Sequence, residues 1–222
     1  MAKVAVALSG CGYLDGAEIH ESVLTLLALD RAGIPYQCIA PNIPQMHVVN
    51  HLTGEPVRGE SRQVLVEAAR IARGDIKDLA TVKVADFDGA LFPGGFGAAK
   101  NFCDYATRGD ACQIHPAIEM FLVGMVEAKK PVGVMCISPV VLARALKGHN
   151  YHPKLTIGTD QGTAKSIEAF GSKHVECSTR DCVVDSEYRI VSTPAYMSGQ
   201  RISEVAAGIE RLVSEFAKLL KA

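Results

Sequence analysis

The sequence predicts a three-layer α/β sandwich, with a mostly parallel sheet and helices on both faces. Three observations predict it. Short, nearly all-apolar runs recur at 4–8, 36–40, 87–92 and 132–135, as expected of strands buried on both sides. Stretches with apolar residues at helical spacing alternate with them. Three of the runs break into unusual residues: Ser9-Gly10-Cys11-Gly12, Pro93-Gly94-Gly95-Phe96-Gly97 and Cys136-Ile137-Ser138-Pro139. In parallel sheets, sites gather at such carboxyl ends.

The elements follow in order. After the first strand, 17–32 reads as a helix with Ile19, Val23, Leu26 and Leu27 on one face, stopped by Gly33. Pro41 closes the second strand, and 42–60, rich in Pro, Gly, Asn and His, reads as an irregular excursion. Residues 61–72 and 113–129 carry helical periodicity, as does a shorter stretch at 162–170. A short strand is expected at 155–157, and 182–193 alternates like a hairpin turning near Ser186-Glu187. The closing helix, 199–220, places Ile202, Val205, Ala206, Ile209, Leu212, Val213 and Phe216 on one face.

At 222 residues the chain suits one domain, 1–222, with a sizeable core. Twenty-three basic residues against 24 acidic ones leave no charged surface of the kind that draws nucleic acid or an anionic membrane. Seven cysteines, an odd number without a CxxC pair, read as free thiols rather than a disulfide scaffold or zinc ribbon. The seven histidines form no HExxH or similar ligand set, so no metal is expected. The amino-terminal residues enter a strand without a secretory or transit pattern, and no apolar run approaches a membrane span. Together these features predict a cytoplasmic protein.

Chemistry concentrates at Cys136. The strand at 132–135 runs straight into it and a helix starts within two residues, the geometry of a nucleophile elbow. Ser138 is expected to cap that helix and Pro139 to suit its first turn. Helix N–H groups aimed at the sulfur predict a lowered thiol pKa. The N–H groups of Gly95 and Ile137 are candidates for an oxyanion site. Glu18 and Glu21 lie early in the first helix, and either carboxyl could reach the sulfur; spacing does not choose between them.

With these residues in place, the chain resembles the class I glutamine-amidotransferase-like superfamily, in its ThiJ/PfpI branch, and most of all the ElbB-like group. The resemblance spans essentially the whole chain. It rests on LSGCGYLDGAEIHE at 8–21, NHLTGE at 50–55, FPGGFGAAKN at 92–101, GVMCISP at 133–139 and STPAYM at 192–197. It implies a flavodoxin-like sandwich and a homodimer. It also implies a cofactor-independent glyoxalase acting on a small dicarbonyl, converting glyoxal and water to glycolate. By position it makes Cys136 the nucleophile, Glu21 its carboxylic acid partner, and Gly95 and Ile137 the oxyanion donors. Many relatives carry a histidine on the strand after the elbow helix; here that slot falls on Thr159 or Asp160. A true glutaminase would show G-x-C-x-G at the elbow and a later His-x-Glu, and neither is present. Two other readings share parts of this pattern. Gly10-x-Gly12-x-x-x-Gly16 suits a nucleotide-binding turn, although no acid ends the second strand to hold a ribose. The same cysteine would also serve a non-enzymatic redox-sensing or protein-quality role.

Overall fold

A computed structural model of the chain describes residues 3–221. In chain order its elements are β1 (Val4–Ala7), α1 (Ile19–Arg31), β2 (Tyr36–Ala40), β3 (Val49–Asn50), β4 (Glu55–Pro56) and α2 (Val64–Ile71). There follow β5 (Ile76–Asp78), β6 (Gly89–Phe92), α3 (Tyr105–Arg108), α4 (Pro116–Glu127), β7 (Val132–Met135) and α5 (Ser138–Leu146). The chain continues with β8 (Lys154–Leu155), α6 (Gln161–Ala169), β9 (Lys173–His174), β10 (Val183–Asp185), β11 (Ile190–Thr193) and α7 (Ile202–Lys221).

Seven strands form the central sheet in the order β10-β11-β7-β6-β1-β2-β5. All neighbours are parallel except β10 and β11, the expected hairpin. Adjacent strands bury alternate side chains on opposite faces, as the pleat requires. Val134, Phe92 and Val132 join α4 and α5 residues such as Phe121, Leu122 and Val141 on one side. Val6, Leu91 and Met135 join Leu29, Ile209, Leu212 and Phe216 on the other. Each such side chain contributes roughly 1.5–3 kcal/mol by leaving water. The result is the flavodoxin-like sandwich that the sequence implied.

Three expectations about elements need correction. Helix α1 does not bury Ile19, Val23 and Leu27, which are exposed; it buries Glu21, Ser22, Thr25, Ala28 and Leu29. Its inner face meets the ends of the strands, where polar partners exist. Thr25 donates to the Glu21 carbonyl and to the Met135 sulfur. The strand expected at 155–157 is shorter and lies outside the main sheet, where β8 pairs with β9. Ile202 on α7 is exposed and Ala206 half-buried, while Val205, Ile209, Leu212, Val213 and Phe216 of the same stripe are buried. Gly33 does end the first helix, with a left-handed φ of 64° and Ile34 N–H donating back to Leu29.

Candidate active site

The register brings the carboxyl ends of β1, β6 and β7 side by side. Cys136 follows β7 directly with φ 58°, a left-handed conformation that costs a non-glycine residue about 1–3 kcal/mol. The turn is held from below by the Cys136 N–H, which donates to the Thr193 carbonyl at 3.1 Å. Ser138 does not cap α5. Its hydroxyl donates to the Pro93 carbonyl at 2.9 Å, tying the elbow to the Pro-Gly-Gly turn after β6.

Glycines let that turn and the loop after β1 touch backbone to backbone. Glu18 N–H donates to the Gly94 carbonyl at 3.0 Å, Gly97 N–H to Gly16 at 2.8 Å, and Phe96 N–H to Tyr13 at 2.7 Å. A Cβ on Gly16 would lie 2.2 Å from the Cys11 nitrogen, and one on Gly95 2.4 Å from the Glu18 nitrogen. The Gly10-Gly12-Gly16 pattern therefore serves loop packing, which accounts for it without a nucleotide.

Glu21 is the carboxylate that faces the sulfur, and Glu18 is not. The Glu18 side chain caps α1, accepting from the Glu21 N–H at 2.7 Å. Glu21 is fully buried. Its Oε2 accepts from the Gly94 N–H at 2.8 Å and its Oε1 from the Tyr196 N–H at 3.1 Å. Its carboxyl also lies beside the Cys136 thiol. Gly94 leaves room for the pair: a Cβ there would sit 2.5 Å from Cys136 Cβ, 2.9 Å from Glu21 Oε2 and 3.0 Å from Cys136 Sγ. The N–H groups of Gly95 and Ile137 lie near the sulfur and favour its thiolate.

Burial dominates the electrostatics. It lifts Glu21 to about 7, with the Glu18 charge adding to the rise and the Tyr196 and Gly94 N–H groups opposing it. The Cys136 thiol is likewise pushed well above its ordinary value, first by burial and then by the Glu21 charge. The expected lowering does not occur, because two donated N–H bonds do not offset desolvation beside a carboxylate. The two groups titrate as a pair. Above pH 7 they hold one proton between them, and in one arrangement Glu21 carries it while the thiolate receives the Gly95 and Ile137 N–H groups.

An open cavity of about 940 Å³ leads to Cys136. Among its lining residues are Tyr196 and His20, whose hydroxyl and Nδ1 lie 2.8 Å apart. Sequence reasoning misses this pair, since the residues are 176 positions apart; STPAYM is the available signal. Asp160 does not approach the sulfur as a histidine substitute. It is exposed and caps α6 by accepting from the Thr163 N–H at 2.7 Å, which holds its carboxyl below the ordinary value. Among the described residues, no three His, Cys, Asp or Glu side chains gather as a metal site.

Comparison with known proteins places this geometry. No family model matches the chain. It is 43% identical to human "glutamine amidotransferase-like class 1 domain-containing protein 3, mitochondrial", over 98% of this chain and 83% of that protein. The chain belongs to the class I glutamine amidotransferase-like family. A crystal structure of an isoprenoid biosynthesis protein with an amidotransferase-like domain, from Ehrlichia chaffeensis, superposes on this family member with TM-score 0.92. The two are 40% identical, covering 99% of this chain and all of that one. Drosophila melanogaster DJ-1beta shares the fold at TM-score 0.56 and 17% identity, over 100% of this chain and 97% of its own. The expected cytoplasmic location is overturned. The human relative and the ES1 proteins of rat and zebrafish are all named as mitochondrial. Free thiols and a balanced charge do not distinguish the two reducing compartments.

Proposed function

We propose that this family member is a cofactor-independent glyoxalase of the ElbB-like group, turning an α-oxoaldehyde and water into a 2-hydroxy acid. One observation carries the reading: a buried carboxyl and a thiol lie side by side against Gly94, with the Gly95 and Ile137 N–H groups near the sulfur and an open cavity leading to it. The Cys136 sulfur attacks the aldehyde carbon, and its proton passes to the Glu21 carboxylate. The new alkoxide takes that proton, with the Gly95 and Ile137 N–H groups holding the oxygen as charge develops. Glu21 then removes the C–H proton of the hemithioacetal and returns it to the neighbouring carbon, while the hydroxyl proton on the first carbon passes to the oxygen of the second. The first carbon is thereby oxidised and the second reduced, with no external oxidant. Water hydrolyses the resulting thioester, giving the hydroxy acid and the free thiol.

The test is glycolate formation from glyoxal by wild type and Cys136→Ala. Turnover by wild type alone supports the reading. Equal rates, or no turnover of glyoxal or of any larger oxoaldehyde by either, reject it in favour of a thiol that senses oxidants or serves a partner protein.

A further inference from the structure

The cavity is far larger than glyoxal requires. Its volume of about 940 Å³ lies in the range that encloses drug-sized ligands. Its wall is mainly apolar and aromatic: Tyr13, Phe96, Tyr105, Ile137, Tyr196 and Met197. No Lys or Arg is among its lining residues, and Glu18 contributes a carboxyl. Lys100, just beyond Phe96, is spent elsewhere. Its ammonium lies 5.4 Å from the centre of the Phe96 ring and donates to the Leu14 carbonyl at 2.7 Å. A phosphate or carboxylate on the substrate would therefore enter an apolar wall without a counter-charge. The hydrogen-bonded Tyr196–His20 pair offers a polar point for a second carbonyl oxygen.

We infer that the substrate is an uncharged α-oxoaldehyde carrying an apolar, ring-sized substituent, R–CO–CHO, in preference to glyoxal or to an anionic aldehyde. The inference rests on the glyoxalase reading and names its substrate class. The aldehyde carbon meets Cys136, the ketone oxygen faces Tyr196 and His20, and R lies among Phe96, Tyr105 and Met197. The reaction balances as before: R–CO–CHO and water give R–CH(OH)–COOH.

Two measurements test it. Steady-state rates compare phenylglyoxal with glyoxal and with 4-carboxyphenylglyoxal, followed as the hydroxy acids. We expect kcat/KM for phenylglyoxal to exceed that for glyoxal at least tenfold, mainly through KM. The carboxylated ring should lose most of that gain, and Met197→Ala should narrow the ratio. A ratio of one or less overturns the inference. The second measurement needs no turnover. Alkylation of Cys136 by iodoacetanilide and by iodoacetamide is mapped by mass spectrometry, each rate divided by that with glutathione. A tenfold enrichment for the anilide supports the apolar-bodied ligand, and no enrichment contradicts it. Enriched labelling without turnover of any dicarbonyl overturns the glyoxalase reading, and the oxoaldehyde assignment with it, while retaining the cavity's preference for a ring.

Discussion

Cys112 and Cys136 stand in opposite environments. The Cys103 sulfur beside it, and then Arg144, hold the Cys112 thiol below its ordinary value. Cys103, whose thiol donates to the Ala98 carbonyl at 3.5 Å, is pushed up by the Cys112 sulfur and by burial. Both belong to the core beneath α4 and α5, and neither lines the cavity. Cys136 has the raised thiol, yet it alone combines the left-handed elbow, the Glu21 carboxyl and an open approach. Acidity alone therefore does not mark the reaction centre. What marks it is a proton acceptor of matched pKa, donors aimed at the reacting atom and room for a substrate.

The contrast breaks most directly by removing each sulfur in turn. Cys136→Ala should lower kcat for oxoaldehyde turnover about a thousandfold or more. Cys112→Ser should leave kcat within about twofold and cost stability by burying a hydroxyl, on the order of 1–3 kcal/mol. Initial rates and urea melts on both variants check this; a crippled Cys112→Ser with an active Cys136→Ala would reverse the assignment.

The second difference is the energetic cost of the Glu21 charge. Its carboxyl moves from 4.5 to about 7 on folding. Below pH 4.5 it is protonated in both states, so it adds no pH dependence. As pH rises to 7 the unfolded chain releases the proton while the folded chain keeps it, so stability falls, by about 3 kcal/mol in all. Glu21→Gln removes this loss. Urea midpoints at pH 5 and pH 8 should therefore differ between wild type and variant; parallel behaviour would place the carboxyl's pKa near its ordinary value.

Glu21→Gln should also lower kcat/KM about a hundredfold. In wild type, kcat/KM rises with pH through about 7 as the pair goes from two protons to one, and the variant loses that limb. A retained limb would move the base to another group. The smallest effect concerns Asp160. Asp160→Ala removes the α6 cap and should cost about 1 kcal/mol, with activity unchanged by rate assay.

Much of this contrast is legible in the amino-acid sequence. The apolar runs of β1, β6 and β7 are short, uninterrupted and followed closely by glycine or Cys136, so the strand ends and the elbow stand out. The inner face of α1 does not. Periodicity favours Ile19, Val23 and Leu27, but the helix lies over strand ends where Glu21, Ser22 and Thr25 find hydrogen-bond partners. The edge strand β5 escapes notice because Ile76-Lys77-Asp78 is short, half-buried and charged. Choosing Glu21 over Glu18 takes a family resemblance, because the cap that turns Glu18 away is visible only in three dimensions. The direction of the Cys136 shift is misjudged from sequence for a related reason. Helix N–H groups can be inferred from an elbow, but the depth of burial beside Glu21 cannot.

The central claim, that Cys136 forms the covalent intermediate with Glu21 as its proton partner, is tested most directly by trapping. Wild type mixed with phenylglyoxal for less than one turnover, quenched in acid and digested, is mapped by mass spectrometry. The account predicts a mandeloyl thioester on the peptide bearing Cys136, forming at least a hundredfold more slowly in Glu21→Gln. Turnover with no adduct on Cys136, or an adduct on Cys112 in its place, would contradict it.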